Sequence, residues 1–255
     1  MRIPVVRGVI DRRILVNYRV DAAVLGPLLP TLFRPKLVAG WGMVGICLIR
    51  LRSVRPKFWP SWLGISSENA AHRTAVEWDS GGEVREGVYV RRRDTSSRLN
   101  ALGGGRLFPG VHHHARFAVH ESADAYDVAL DSDDDAVHLR VRGRTTSALP
   151  ATSVFASLAE ASAFFQAGSL GYSATSEPGR YQGLELRCHR WHAKPLEIDE
   201  VRSSFFDDES LFPRGSIEFD CALLMRGIDH EWHGRDDLCC AAAASRGLKV
   251  AASPA

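Results

Sequence analysis

Lysine is scarce in this sequence: of 32 basic side chains in 255 residues, only Lys36, Lys57, Lys194 and Lys249 are lysines, and the rest are arginine. An amine nucleophile therefore has four positions to occupy, because an arginine stays protonated and attacks poorly. Cysteine is sparse and scattered. Cys47, Cys188, Cys221, Cys239 and Cys240 form no C-x-x-C pair, which excludes a zinc knuckle or a redox motif and reads as reduced thiols in a cytoplasm. No run approaches the ~20 apolar residues of a membrane span. The opening MRIPVVRGVIDRR sets its charges too close together for a signal-peptide core. Net charge is only +2, so neither nucleic acid nor an anionic membrane is an expected partner. Gly103–Gly105 is followed by no G-K-[ST], and no G-x-S-x-G elbow occurs, so a phosphate loop and a hydrolase nucleophile are both unsupported. Neither an internal repeat nor a linker divides the chain. One domain over residues 1–240 is expected, with 241–255 (small and weakly patterned) as a flexible tail.

What is present is ordinary for a globular protein: 45% apolar and 24% charged residues. Strand-like segments dominate. Ile14 to Val20 alternates, and Asp21 stands where the N-cap of a short helix belongs, before AAVLGPLL. Gly42 to Leu51 is apolar at successive positions, which predicts a central strand covered on both faces. Further strands are expected at Ser66–Trp78, Gly87–Arg92 and Val111–Val119. Tyr126–Leu130 and Ala136–Val141 should pair around the acidic turn DSDDD, and strands should follow at 183–192, 201–206 and 216–225. Ser157 to Glu160 is a capping box that opens a helix ended by Gly168. The fold class is α+β, mainly antiparallel β, with a few short helices.

Ser66 to Val119 holds the candidate site. One face of the first strand carries Glu68, Ala70, His72, Thr74, Val76 and Trp78; the other carries Asn69, Ala71, Arg73, Ala75 and Glu77. The first face is the more apolar and is expected inward. In Val111–Val119 the same period places His113 inward and His112 and His114 outward. An ionisable group buried on such a face is costly unless it is paired or used. A metal site of Glu68, His72 and His113 is disfavoured: Glu68 and His72 lie ~13 Å apart along a strand at ~3.3 Å per residue. No metal or other cofactor is expected. Arg91, Arg92 and Arg93 end a strand. They are read as solvated or paired with the acidic turn, with Arg91 the one whose planar fork could hold a ligand carboxylate and Tyr89 on its face.

The order of several landmarks resembles a family: Tyr18-Arg-Val-Asp21 with Leu28-Leu-Pro30, the glycine-rich strand at 42–51, Ser67-Glu68-Asn69, Gly87-Val-Tyr89, and a helix ending near Gly171-Tyr172-Ser173. Together they resemble the YqjF-like family of unknown function (domain of unknown function 2071), itself related to acetoacetate decarboxylase. The resemblance covers roughly residues 8–235. It implies a partly closed β-barrel or cone with an interior pocket suited to a small acid. The decarboxylase uses a Schiff-base lysine beside a second lysine. The corresponding stretch here, residues 97–110, contains no lysine, and Arg106 cannot replace one. Ser67-Glu68-Asn69 matches the decarboxylase's Y-T-E-S-G glutamate. The family's early arginine would fall at Arg12 or Arg13, and its second pocket glutamate near Gly45, where none exists.

Three readings follow. The first is a cytoplasmic barrel binding a small organic anion, with Glu68 as its principal residue and Arg12, Asn69, Tyr89, Arg91 and His113 as further contacts; a homo-oligomer is compatible with it. The second is an enzyme using Glu68 as general acid or base on a keto or hydroxy acid. The third is a structural or interaction module whose pocket is filled by its own aromatics.

Overall fold

In a computed structural model, residues 4–102 and 109–240 are described; the expected tail and the Gly103–Gly105 run lie outside them. The first strand, β1 (Val6–Asp21), is buried on both sides. Asp21 then caps α1 (Ala22–Leu25), accepting from the Ala23 amide. Two short strands, β2 (Arg34–Pro35) and β3 (Leu37–Val38), lead into β4 (Trp41–Pro56), β5 (Ile65–Ser80) and β6 (Glu83–Thr95). After α2 (Arg98–Leu102) come β7 (His112–Glu121), β8 (Ala125–Ser132) and β9 (His138–Thr145). The capping box opens α3 (Leu158–Ala167): Ser157 accepts from the Glu160 amide, and Glu160 accepts from the Ala156 amide. The chain closes with β10 (Leu170–Ala174), β11 (Arg180–Cys188), β12 (Lys194–Ser203) and the 23-residue β13 (Ile217–Cys239).

The strands form one ring-like, mostly antiparallel sheet, and its pairings close two circuits. Both circuits share a wall of β13, β1, β4, β5 and β6. One arc, β7-β8-β9-β12, returns over one face of that wall; the other, β10-β11, returns over the opposite face. Two strands fork to make this work. Residues 88–90 of β6 pair with β10, and 93–95 pair with β7. Residues 222–224 of β13 pair with β12, and 230–239 pair with β11. Between the two β6 segments lies a β-bulge: Arg92 opposes His72 and Val90 opposes Arg73, so Arg91 has no partner residue.

The shared wall therefore sends alternate side chains into two interiors. Ile14, Val16, Val20, Val44, Ile46 and Leu48 enter the first, where Val128, Leu130, Val141, Phe206 and Phe212 fill the space. Leu15, Met43, Cys47 and Leu51 enter the second, toward Phe155, Ala161 and Phe165 around α3. An aromatic group of Phe33, Trp78, Tyr89, Tyr172 and Tyr181 closes one end. The strand expected at 201–206 ends at Ser203, because the Asp207 carboxylate accepts from the Ser203 amide and turns the chain. That turn drives Phe205 and Phe206 against His72, Tyr18 and Phe212. Among the described residues, no helix is long and apolar enough to cross a membrane.

His72 is buried in this packing, and neither of its ring nitrogens has a hydrogen-bond partner. Burial, with help from Arg92 and Arg91, pushes its pKa down to about 3. His230 is pushed down to about 4, again chiefly by burial. In the unfolded chain a histidine takes its proton near pH ~6.5. Both groups thus add stability that is complete above that pH and is lost as pH falls toward their folded values. The urea midpoint is expected to fall between pH 6.5 and 5, above the range where carboxylates dominate. In the His72→Leu protein the dependence should be shallower; an unchanged slope would contradict the assignment.

Candidate functional site

Glu68 and Arg12 face the first interior, and the structure joins them to each other. Arg12 is fully buried; its Nη2 lies 2.6 Å from Glu68 Oε2, and its Nη1 donates to Glu121. Arg50, which opposes Glu68 in the β4–β5 register, donates to the other Glu68 oxygen. Arg50 and Arg226 also reach Glu121, at 3.2 Å each. Two carboxylates thus take both Nη groups of a buried guanidinium at the end of a packed core, leaving its Nε without a partner. Neither Glu68 nor Arg12 lines any of the three best-formed cavities of the described residues.

The main cavity lies in the second interior. Its volume is about 130 Å³, and it opens between the wall and the β10–β11 arc, beside the C-terminal end of α3. Among the described residues three arginines line it: Arg13 from β1, Arg73 from β5 and Arg93 from β6. Asn69, Asn100, Ser169 and His112 add polar groups, and Ile49, Leu51, Val88 and Leu186 an apolar wall. Arg13 Nε donates to Cys47 Sγ at 3.3 Å, and the guanidinium lies 5.4 Å over the Trp191 ring. Arg93 donates to Ser173 Oγ at 3.1 and 3.0 Å. Arg73 donates to Asn17 Oδ1 and lies 4.9 Å over Phe165. Asn17, Gly45 and Arg73 stand in one cross-strand row. Gly45 puts no side chain between the other two, and a Cβ there would meet the Val16 carbonyl at 2.2 Å.

Among the described residues, none of these three guanidiniums has a carboxylate partner; each rests on a neutral oxygen, a sulfur or a ring. Burial pushes Arg73 and Arg93 down to about 10, so both still carry their charge at neutral pH. Burial and the neighbouring Arg93 push His112 down to about 3, so it is neutral, and its Nδ1 meets the Gly110 carbonyl at 3.3 Å. Asp94 borders the cavity, but its carboxylate bonds Arg92 at 2.9 Å. Burial raises the pKa of that carboxyl group against the opposing pull of Arg92. A cationic cavity with donors on several sides is suited to binding an anion.

The expected site residues divide between the two interiors. Asn69 lines the cavity, with its amide donating to the Ser67 carbonyl at 3.1 Å. His113 keeps the predicted face, but that face belongs to the filled interior; it lies 2.9 Å from Asp134 and stays 35% exposed. His112, expected outward, is the member of the triplet that lines the cavity. Tyr89 packs against Phe33 and Tyr181, and Arg91 lies 5.5 Å over Phe205; both border only a minor void of about 20 Å³. Arg92 takes the expected pairing with the acidic turn, 2.7 Å from Asp134. The bulge at Arg91 breaks the period-2 pattern and brings Arg93 to the cavity side along with Val88 and Val90. Arg73 sat on the face read as outward. A wall buried on both faces is what that reading lacked.

Three of the four lysines lie in the described residues, and none lines this cavity. Lys36 Nζ is 2.7 Å from Glu86, Lys57 Nζ is 2.9 Å from Glu231, and Lys194 is exposed at the start of β12. Also among the described residues, no group of three or more His, Cys, Asp or Glu could hold a metal ion.

The ring-like sheet with few helices is that of acetoacetate decarboxylase-like proteins. An acetoacetate decarboxylase-like enzyme from Sphingomonas wittichii RW1 superposes with a TM-score of 0.57 at 12% identity, over 94% of this chain and 93% of the other. Acetoacetate decarboxylase from Legionella pneumophila gives 0.57 at 14%, over 92% and 88%. The enduracididine biosynthesis enzyme MppR, complexed with pyruvate, gives 0.55 at 9%, over 94% and 91%. At these identities the likeness is one of fold. No curated protein matches the chain in sequence. In sequence, residues 10–227 match domain of unknown function 2071, an uncharacterised conserved protein family, and the chain belongs to that family.

The pairing of Glu68 makes its substitution a test of scaffold against ligand. Glu68→Gln leaves buried Arg12 with Glu121 alone, so a cost near 3 kcal/mol is expected. That corresponds to a melting temperature lower by roughly 6–12 °C for a chain of this size. Binding of a small acid should change less than threefold. Unchanged stability with lost binding would instead assign Glu68 to the ligand.

Proposed function

We propose that the protein binds a small organic anion in the cavity lined by Arg13, Arg73 and Arg93, without a Schiff-base lysine. One observation carries the reading. Three guanidiniums border a single cavity, and among the described residues none is bonded to a carboxylate. Burying unpaired charge is costly, and such cost is commonly retained where a ligand supplies the missing partner. MppR, of similar fold, is known with pyruvate bound, which supports a small acid as ligand. Asn69 and Asn100 would orient it, and the apolar wall would exclude water. The five cysteines, none in a disulfide among the described residues, suit a reducing cytoplasm.

The test is calorimetric titration with small carboxylates such as pyruvate and acetoacetate. Binding should weaken about tenfold or more in Arg93→Gln, a loss of ~1.4 kcal/mol. Arg91→Gln, outside the cavity, should leave it unchanged. Equal effects of the two substitutions would refute the assignment. Trapping with borohydride in the presence of acetoacetate should leave no adduct by peptide mass. An adduct on Lys36, Lys57, Lys194 or Lys249 would show that the fold's amine chemistry had moved to a new position.

A further inference from the structure

One carboxylate needs one planar fork, and this cavity has three. Arg13, Arg73 and Arg93 stand on three strands of the same wall and border the same space. No aspartate or glutamate among the described residues bonds any of them. Residues 1–3, 103–108 and 241–255, outside the described set, contain no Asp or Glu at all. The one carboxylate that borders the cavity among the described residues, Asp94, is bonded to Arg92 rather than to any of the three. The contrast with the other interior is direct: there, the one fully buried guanidinium, Arg12, has two carboxylates.

The arginines are also spread out. Arg13 and Arg93 belong to β1 and β6, with β4 and β5 between them. At ~4.8 Å per strand step, their backbones are about 14 Å apart along the wall. Cys47 lies between them: Arg13 bonds its sulfur, and the same sulfur is an electrostatic neighbour of Arg73 and Arg93. Apolar side chains, among them Ile49, Leu51, Val88 and Leu186, complete the space. A cavity of about 130 Å³ holds roughly ten water-sized units, at ~10–15 Å³ each.

We infer that the ligand carries at least two negative charges on about ten non-hydrogen atoms, with an anionic group at each end of a short apolar spacer. This rests on the anion-binding reading of the same cavity and narrows it. One group, a carboxylate, is clasped by Arg13. The second, a carboxylate or a phosphate, is clasped by Arg93. Arg73, held by Asn17 and Phe165, adds its charge to both. A monoanion would leave two of the three charges uncompensated.

The test compares three acids of similar size on the full chain by isothermal titration: pentanoate with one carboxylate, glutarate with two, and phosphoglycolate with a carboxylate and a phosphate. At least one of the two doubly headed acids, glutarate or phosphoglycolate, should bind about tenfold or more tighter than pentanoate, a gap of ~1.4 kcal/mol; the tighter of the two identifies the second group. Arg13→Gln and Arg93→Gln should each shrink that preference to less than threefold. Arg13→Lys and Arg93→Lys, which keep the charge but not the fork, should lose less of it than the glutamine variants, separating lost charge from lost fold. Equal binding of pentanoate, glutarate and phosphoglycolate overturns the two-headed assignment and leaves the anion cavity standing. Absence of binding by all three acids overturns the cavity reading, and this one with it.

Discussion

Everything in this molecule depends on one wall of strands being buried on both faces. β13, β1, β4, β5 and β6 pair continuously, and a different arc of strands covers each side. Backbone hydrogen bonds are satisfied within the sheet, so the two interiors are distinguished by side chains alone. Parity along each strand decides which interior a residue enters. Ile14 and Leu15 are neighbours in sequence, yet each packs into a different core. The fork in β6 and the bulge at Arg91 let a single strand serve both arcs.

The two interiors solve the problem of buried charge in opposite ways. In the first, Arg12 is paired with Glu68 and Glu121, and aromatic rings occupy the remaining space. Such a cluster is sensitive to removal of any one partner, since the charge left behind has no water to turn to. In the second, Arg13, Arg73 and Arg93 are held by a sulfur, an amide, a hydroxyl and two ring faces. These contacts fix orientation without cancelling charge. A cavity so prepared loses little entropy in organising itself around an anion.

Much of the architecture was legible from alternation and caps: β1, β4, β5, β7, the β8–β9 hairpin and the Ser157 capping box all follow from local pattern. So did the absence of a lysine in the stretch that matches the decarboxylase motif. The location of the arginine-lined cavity was harder, for a physical reason. On β5 the face carrying Glu68, His72 and Trp78 looked inward because it is the more apolar, and it is indeed interior. The opposite face, with Asn69 and Arg73, is interior too, and its polarity reflects the cavity rather than solvent. Period-2 patterning separates faces but cannot tell a filled interior from an open one. Arg93 was hidden by a bulge, which shifts parity by one residue without any glycine to mark it. The extension of β13 to Cys239 was missed because its second half, which pairs with β11, is more polar.

The central claim is that the ligand belongs to the arginine face of the wall and not to the glutamate face. A crystal structure of the protein saturated with a small carboxylate such as pyruvate tests this most directly. The account predicts density for the anion in the cavity, within hydrogen-bonding distance of at least one of Arg13, Arg73 and Arg93, with the Arg12–Glu68 pair undisturbed. An anion seated instead against Arg12 or Arg50, with Glu68 displaced and the arginine cavity empty, would contradict it.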